Sequence, residues 1–242
     1  MSVVIPSRND APALQRTLDH LQATGVCADA EVIVAASGDP DGTRRAVAGR
    51  ARLLWPPRST RAALQNTGAA AATGAILFFL HADSLPPAGA LRLIEAALAD
   101  RSVVGGAFEQ LFDEPGWSLR AITVLNRVRY RLTRNYYGDQ GLFVRADVFH
   151  RLGRFRDWAV LEDLDLSQRL KRAGRTVLIR RPLRTSARRF IARGRWRTLV
   201  FIAWLLLLHT LRQDVQRYAE RWRGPAETTP GRRATTSPGR RA

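Results

Sequence analysis

Across residues 2–99 the sequence alternates short, uninterruptedly apolar runs with segments of helical period, and this alternation narrows the accessible folds more than any other feature. The apolar runs are residues 2–6, 31–35, 51–55 and 75–80, the last being the most apolar. Between the first two, Asp10 stands at a helix start with Pro12 in the first turn, and Leu14, Leu18 and Leu21 form its apolar face. Residues 43–49, 61–72 and 87–99 read as further helices; the second is Ala-rich and closed by Gly74. Strands apolar on both sides need cover on both faces, which is the pattern of a parallel sheet sandwiched by helices. Ligands on such sheets bind beyond the carboxyl ends of the strands, so residues 7–10, 36–41 and 81–84 carry the most interest.

The second half is less regular. Residues 103–108, 141–144 and 176–179 read as strands, 117–134 as a basic amphipathic helix, and 161–173 as a helix that opens with acids and closes on Lys171, Arg172 and Gly174, the order its dipole favours. Residues 194–223 read as one long helix with an apolar middle and Arg at both ends. The expected organisation is one domain over 1–223, with a nucleotide-binding half (1–100), an acceptor and catalytic half (101–190) and the C-terminal amphipathic helix (191–223). A basic tail follows at 224–242; it repeats Pro-Gly-Arg-Arg-Ala, offers little to bury, and is expected to be disordered.

Composition removes some chemistries. Cys27 is the sole cysteine, so an internal disulfide and a multi-cysteine zinc site are excluded, in keeping with a reducing, cytoplasmic setting. The net charge is +18, and all but Lys171 of the basic residues are Arg, which implies attraction to polyanions such as nucleotide diphosphates or anionic lipid. Residues 2–6 are too short for a secretory apolar region. The longest uncharged apolar run, 198–211, has 14 residues against the roughly 20 a membrane span needs, and reads as a buried or interfacial helix. With Arg193, Arg195, Arg197, Arg212 and Arg217 around it, the 193–217 segment suits either a core helix or peripheral attachment to the anionic inner face of the cytoplasmic membrane.

Two acidic positions carry the candidate chemistry. Asp83 follows the most apolar strand, in Leu80-His81-Ala82-Asp83. Either it caps the next helix, or it binds a hard divalent cation that also holds substrate phosphates. His81 reads as a phosphate donor or a packed side chain. Glu162 and Asp163, with Asp165 close behind, either serve the helix dipole or, desolvated by Trp158-Ala159-Val160-Leu161, supply a general base. Arg61, Arg188 and Arg189 are candidate phosphate contacts, because Arg forks onto phosphate oxygens.

Taken in order, these pieces resemble family 2 glycosyltransferases. The opening Ser2-Val3-Val4-Ile5-Pro6-Ser7-Arg8-Asn9 is similar to theirs, as are Glu31-Val32-Ile33-Val34 with the later Asp41-Gly42-Thr43, the Leu80–Asp83 stretch and the Glu162-Asp163 pair. More narrowly, Gln65–Ala70, Phe79–Asp83, Gly138–Gly141 and Thr185–Phe190 resemble a small bacterial subgroup, the radical-SAM/selenodomain-associated transferase 2 proteins. The similarity runs from about Ser2 to Tyr218. It implies a GT-A type α/β fold and an enzyme that moves a sugar from a nucleotide-diphosphate sugar to an unspecified acceptor hydroxyl, with inversion. On this resemblance Pro6, Ser7, Asn9 and Asn66 line the nucleotide pocket, and Asp83 binds Mg²⁺ or Mn²⁺. Asp163, with Glu162 beside it, deprotonates the acceptor, while Gly138, Asp139 and Gln140 border the acceptor and donor sugar; Trp158, by its aromatic ring alone, is a further candidate on that side for stacking on sugar. The sequence departs from the pattern after the second strand, where Ala36 and Ser37 replace an expected Asp; Ser37 or Asp39 then substitutes, or the protein is an inactive nucleotide- or membrane-binding module. His81 likewise replaces the first acid of the usual Asp-x-Asp.

Other readings fit less well. A nucleotidyltransferase needs a Gly-rich loop after the first strand and a dinucleotide-binding oxidoreductase needs Gly-x-Gly-x-x-Gly there; Pro6-Ser7-Arg8-Asn9-Asp10 has neither. No nucleic-acid partner is expected, since no recognised nucleic-acid-binding pattern accompanies the charge.

Overall fold

A computed structural model describes residues 1–223; the expected disorder of 224–242 lies outside the described residues. The chain runs β1 (Ser2–Arg8), α1 (Ala11–Ala23), α2 (Val26–Asp29), β2 (Glu31–Ser37), α3 (Pro40–Val47), β3 (Arg52–Leu54), α4 (Arg61–Ala71), β4 (Ile76–Phe79), β5 (Ser84–Leu85) and α5 (Ala90–Leu98). It continues through β6 (Val103–Phe112), α6 (Trp117–Thr133), β7 (Leu142–Arg145), α7 (Ala146–Arg151), α8 (Glu162–Ala173), β8 (Arg175–Thr185), α9 (Arg188–Arg193), α10 (Arg195–Thr210) and α11 (Ala219–Arg223).

The strands form one sheet in the order β3-β2-β1-β4-β7-β6-β8-β5. The first four run parallel, as the βα alternation demands. The expectation of parallel pairing does not extend across the sheet: β7 lies antiparallel between β4 and β6, and β5 pairs antiparallel with β8. β8 is longer than the expected 176–179; it follows β6 in parallel as far as Thr185, with a register shift at Phe108/Glu109. Beyond that shift β8 continues to Thr185, which pairs with Ser84 of β5.

Alternate residues of the central strand serve opposite faces. Val3 and Ile5 pack with Leu14, Leu18 and Leu21 of α1 and Ile94 of α5. Val4 packs with Ala62 and Ala69 of α4, Phe79, and Leu166 and Leu170 of α8. All three β1 side chains are fully buried, each contributing about 1.5–3 kcal/mol. α4 lies close to the sheet because of Gly68: a Cβ there would stand 2.4 Å from Val4 Cγ1.

The long C-terminal helix expected over 194–223 is broken. α10 stops at Thr210, Arg212 adopts a left-handed φ of 57°, and the chain folds back as α11. Trp222 and Trp204 then stack on Phe201, and Tyr218 meets Trp204 edge-on. Burying those rings outweighs helix propagation through Gln213-Asp214. Gln216 fixes the corner: its Oε1 accepts from Ala159 N at 2.6 Å and Val160 N at 3.2 Å, and its Nε2 donates to Val160 O at 3.1 Å.

Candidate active site

A cavity of about 310 Å³ opens where the carboxyl ends of β1 and β4 meet β6, β8 and the helices α6 and α8–α11. Its acids and bases come from separate elements. Asp83 follows β4 and the short loop after it. It does not cap α5, whose N-cap is Gly89. Its side chain is 22% exposed, and burial raises its carboxyl above the ordinary range while Arg188, 3.3 Å away, opposes that shift. Arg188 is also forked onto Asp10, with Nη1 donating to Oδ1 at 2.8 Å. Asp10 therefore occupies the N-cap position of α1 without capping it through its side chain.

Opposite stands the start of α8. Leu161 caps it in the left-handed region (φ 62°), a conformation costing a non-glycine residue about 1–2 kcal/mol, and this turn aims Glu162 and Asp163 inward. Glu162 is wholly buried and ion-paired with Arg61, while its Oε2 has no hydrogen-bond partner. Burial raises its carboxyl above the usual range, with Arg61 opposing. Asp163 faces the cavity, its Oδ2 accepting from Gly138 N at 2.6 Å and its Oδ1 from Leu164 N at 2.7 Å. Gly138 is required there by close approach, since a Cβ would stand 2.5 Å from His81 Nε2 and 3.2 Å from Asp163 Oδ2. Asp165, the third acid of the run, serves packing instead, paired with Arg169 and Arg156.

The remaining polar wall comprises His81, Asp139, Gln140, Arg129 and Arg189. Burial, Arg61 and Arg189 hold the His81 imidazole well below its usual pKa, so it is neutral at pH 7 and accepts from Arg61 Nη1 at 3.4 Å. Desolvation pushes Asp139 up to about 6, with Arg129 pulling down and Asp163 pushing further up. Arg129 stacks 3.7 Å above the Tyr137 ring, which keeps its charge at the cavity rim.

The structure brings Pro6, Arg61, Asp83, Asp139, Gln140, Asp163, Arg188 and Arg189 to this cavity. It places the other expected site residues outside the cavity lining. Asn9, at φ 49°, accepts from Asp39 N at 3.0 Å and pins the turn after β2; Asp39 caps α3 by accepting from Gly42 N at 3.0 Å. The hydroxyls of Ser7 and Ser37 are buried without partners at neighbouring strand ends. Asn66 clips the backbone of Phe155 with both ends of its amide, at 2.8 and 3.1 Å. Trp158 borders a separate groove with His209. The sequence reading does not single out Arg129 and Tyr137, and takes Asp10, inside the 7–10 stretch of interest, for a helix cap.

These carboxylates suit a hard divalent cation shared with a substrate diphosphate. Asp83 is a desolvated anion that a cation would relieve, whereas among the described residues no cluster of three metal-ligating side chains offers an all-protein cage.

Residues 2–157 match the family model described as Glycosyl transferase family 2. The chain belongs to this family. A curated relative, Glycosyltransferase AglE of Haloferax volcanii, is 28% identical over 168 residues, covering 64% of this chain and 55% of its own length. The chain thus spans about half of that relative. Among solved structures, the mannosyltransferase PcManGT of Pyrobaculum calidifontis, in complex with GDP-Man and Mn²⁺, superposes with a TM-score of 0.59 at 22% identity, over 77% of this chain and 56% of that one. S. aureus TarS residues 1–349, in complex with UDP-GlcNAc, give 0.58 at 16% identity, over 76% and 58%. The fold is the expected GT-A type, in a more mixed sheet. The family match ends before Glu162 and Asp163.

Proposed function

We propose that this family 2 protein transfers a sugar from a nucleotide-diphosphate sugar to an acceptor oxygen with inversion, assisted by Mg²⁺ or Mn²⁺. One observation carries the reading: a single cavity sets the backbone-anchored carboxylate of Asp163 against the desolvated Asp83, with Arg61, Arg188 and Arg189 on its walls. Two hydrogen bonds hold Asp163 in one orientation, as a general base requires. It takes the proton of the acceptor hydroxyl as that oxygen attacks the anomeric carbon from the face opposite the leaving diphosphate. Arg61, Arg188 and Arg189 neutralise charge on the departing diphosphate. Asp83 would hold the divalent cation, which would supply further Lewis-acid stabilisation of the leaving group. Neutral His81 offers a hydrogen bond without adding charge. Pro6 lies on the nucleotide side; with Asp39 committed to its cap, ribose recognition in the manner of the family's usual Asp falls elsewhere. The relatives in complex with GDP-Man and UDP-GlcNAc support a nucleotide-sugar donor, and the former supports a divalent cation.

Calorimetric titration with UDP, GDP and dTDP, with and without Mn²⁺, tests this on the parent chain and on Asp83→Ala. One nucleotide should bind with Mn²⁺ and lose that dependence in the variant. A folded protein that binds none of them would be an inactive module instead.

A second proposal concerns location. Among the described residues no helix is long and apolar enough to cross a membrane. α6 and α10 nevertheless expose apolar stripes, Trp117, Val124, Leu125, Val128 and Leu132 on one, Trp196, Val200 and Leu207 on the other. Joined at Trp117–Trp196, they support peripheral attachment to an anionic membrane surface through 193–217, with α6 alongside.

A further inference from the structure

The cavity has two chemically different walls. One carries Arg61, His81, Asp83, Asp139 and Asp163. The other, from four helices, is mainly apolar, with Ile122 of α6, Phe190 of α9, Leu199, Ile202 and Leu205 of α10, and Trp222 of α11, although Arg189 of α9 lies 4.5 Å over the Trp222 ring and α6 adds Asn126 and Arg129 to the lining. A nucleotide-diphosphate sugar has no aliphatic chain to lay along Leu199, Ile202 and Leu205. A bare sugar or polar peptide would leave hydroxyls or amides facing it unpaired, at a cost of about 1–3 kcal/mol each. Leu199 and Ile202 are only partly buried by the protein itself, which leaves apolar surface facing the cavity. The helices supplying this wall also carry the exposed apolar stripes, and α6, α9 and α10 contain no acidic residue. Arg120, Arg127 and Arg131 border the α6 stripe at seven- and four-residue spacing.

We propose that the acceptor is amphiphilic, a hydroxyl or phosphate oxygen on a hydrocarbon chain, with the chain against the apolar wall and the oxygen at Asp163. This assignment rests on the transferase reading above. The acceptor oxygen bonds to the anomeric carbon as the bond from that carbon to the diphosphate breaks, and the diphosphate leaves with the electron pair. A hydroxyl acceptor passes its proton to Asp163; an ionised phosphate has none to give.

Calorimetry on the full chain tests the apolar seat, with dodecyl phosphate below its micelle concentration, dodecanol and inorganic phosphate as probes, beside the nucleotide titrations. Dodecyl phosphate or dodecanol should saturate one site at least about ten-fold more tightly than inorganic phosphate binds, since several methylenes are buried. The comparison of the two separates a phosphate from an alcohol acceptor. Ile202→Asp should weaken chain binding about ten-fold or more and spare the nucleotide. Ile202→Trp, which stays apolar and so keeps the fold, should do the same by filling the space. The proposal is overturned if neither chain binds better than inorganic phosphate, or if both variants bind the chain as the parent does. Nucleotide binding without any preference for the chain would sink the amphiphilic acceptor alone. Chain binding with no nucleotide binding would sink the transferase reading, and the acceptor assignment with it, while leaving a hydrocarbon site.

Discussion

Arg61 does two jobs, and its removal separates them. It is the ion partner of a Glu162 side chain that is 1% exposed, and it reaches toward Asp163 at 3.8 Å. Arg61→Met should leave a buried carboxylate without compensation and lower stability by about 3–5 kcal/mol in urea unfolding at pH 7, with Glu162→Gln in the same chain recovering much of the loss. Asp139 works in the opposite sense. Its folded pKa of about 6 stands above the ordinary 3.8, so the folded state holds its proton more tightly than the unfolded state. The anion therefore costs stability: that cost is absent below about pH 4, grows as pH rises to 6, and is complete above it. Asp139→Asn should stabilise the ligand-free protein by about 1–2 kcal/mol at pH 7.5, a figure discounted because the side chain faces the cavity solvent, and the gain should vanish at pH 4. Unfolding curves of both proteins from pH 4 to 8 check the sign. A stabilised but slower enzyme would mark Asp139 as a group kept for chemistry.

Helix α4 poses a contest between propensity and packing. Gly68 costs about 1 kcal/mol against Ala in a helix interior, so propensity alone predicts that Gly68→Ala stabilises. The added methyl would meet Val4 Cγ1 at 2.4 Å on a fully buried central strand, and overpacking of this kind costs about 1–3 kcal/mol. The net expectation is destabilisation, read as a lower urea midpoint. Gly68→Ala combined with Val4→Ala should cost less than the two single changes added together, because the second change opens the space the first requires. At the other end of the chain, α10 and α11 act as a pair through Phe201, Trp204, Tyr218 and Trp222. They also close the apolar wall of the cavity, which ties stability of the C-terminal hairpin to the shape of the site.

For the molecule as a whole, charge and apolar surface are distributed unevenly. Trp117 is 74% and Leu132 80% exposed on a helix without acids, and the proposed peripheral attachment to an anionic membrane can be tested through that helix. Co-sedimentation with phosphatidylserine vesicles should be strong at low salt, fall steeply by 0.5 M salt, and drop about ten-fold in Leu125→Glu/Val128→Glu; equal recovery on neutral vesicles would defeat the idea. The sequence by itself determined the first four parallel strands and their helices, because apolar runs and helical periods act over a few neighbouring residues. It also marked Asp83 and Glu162-Asp163, since acids directly after apolar stretches stand out locally. The antiparallel insertion of β7, the register shift between β6 and β8 and the return of α11 were decided by contacts between residues far apart in the chain. The same holds within the site. Asn66, Asp39 and Asn9 look like ligand-binding residues by type and position, yet they are occupied by backbone groups of Phe155, Gly42 and Asp39. Asp10 looks like a cap and instead clamps Arg188, 178 positions away. Which polar side chains are used up inside the protein and which remain to face a ligand depends on partners that only the folded chain brings within hydrogen-bonding distance.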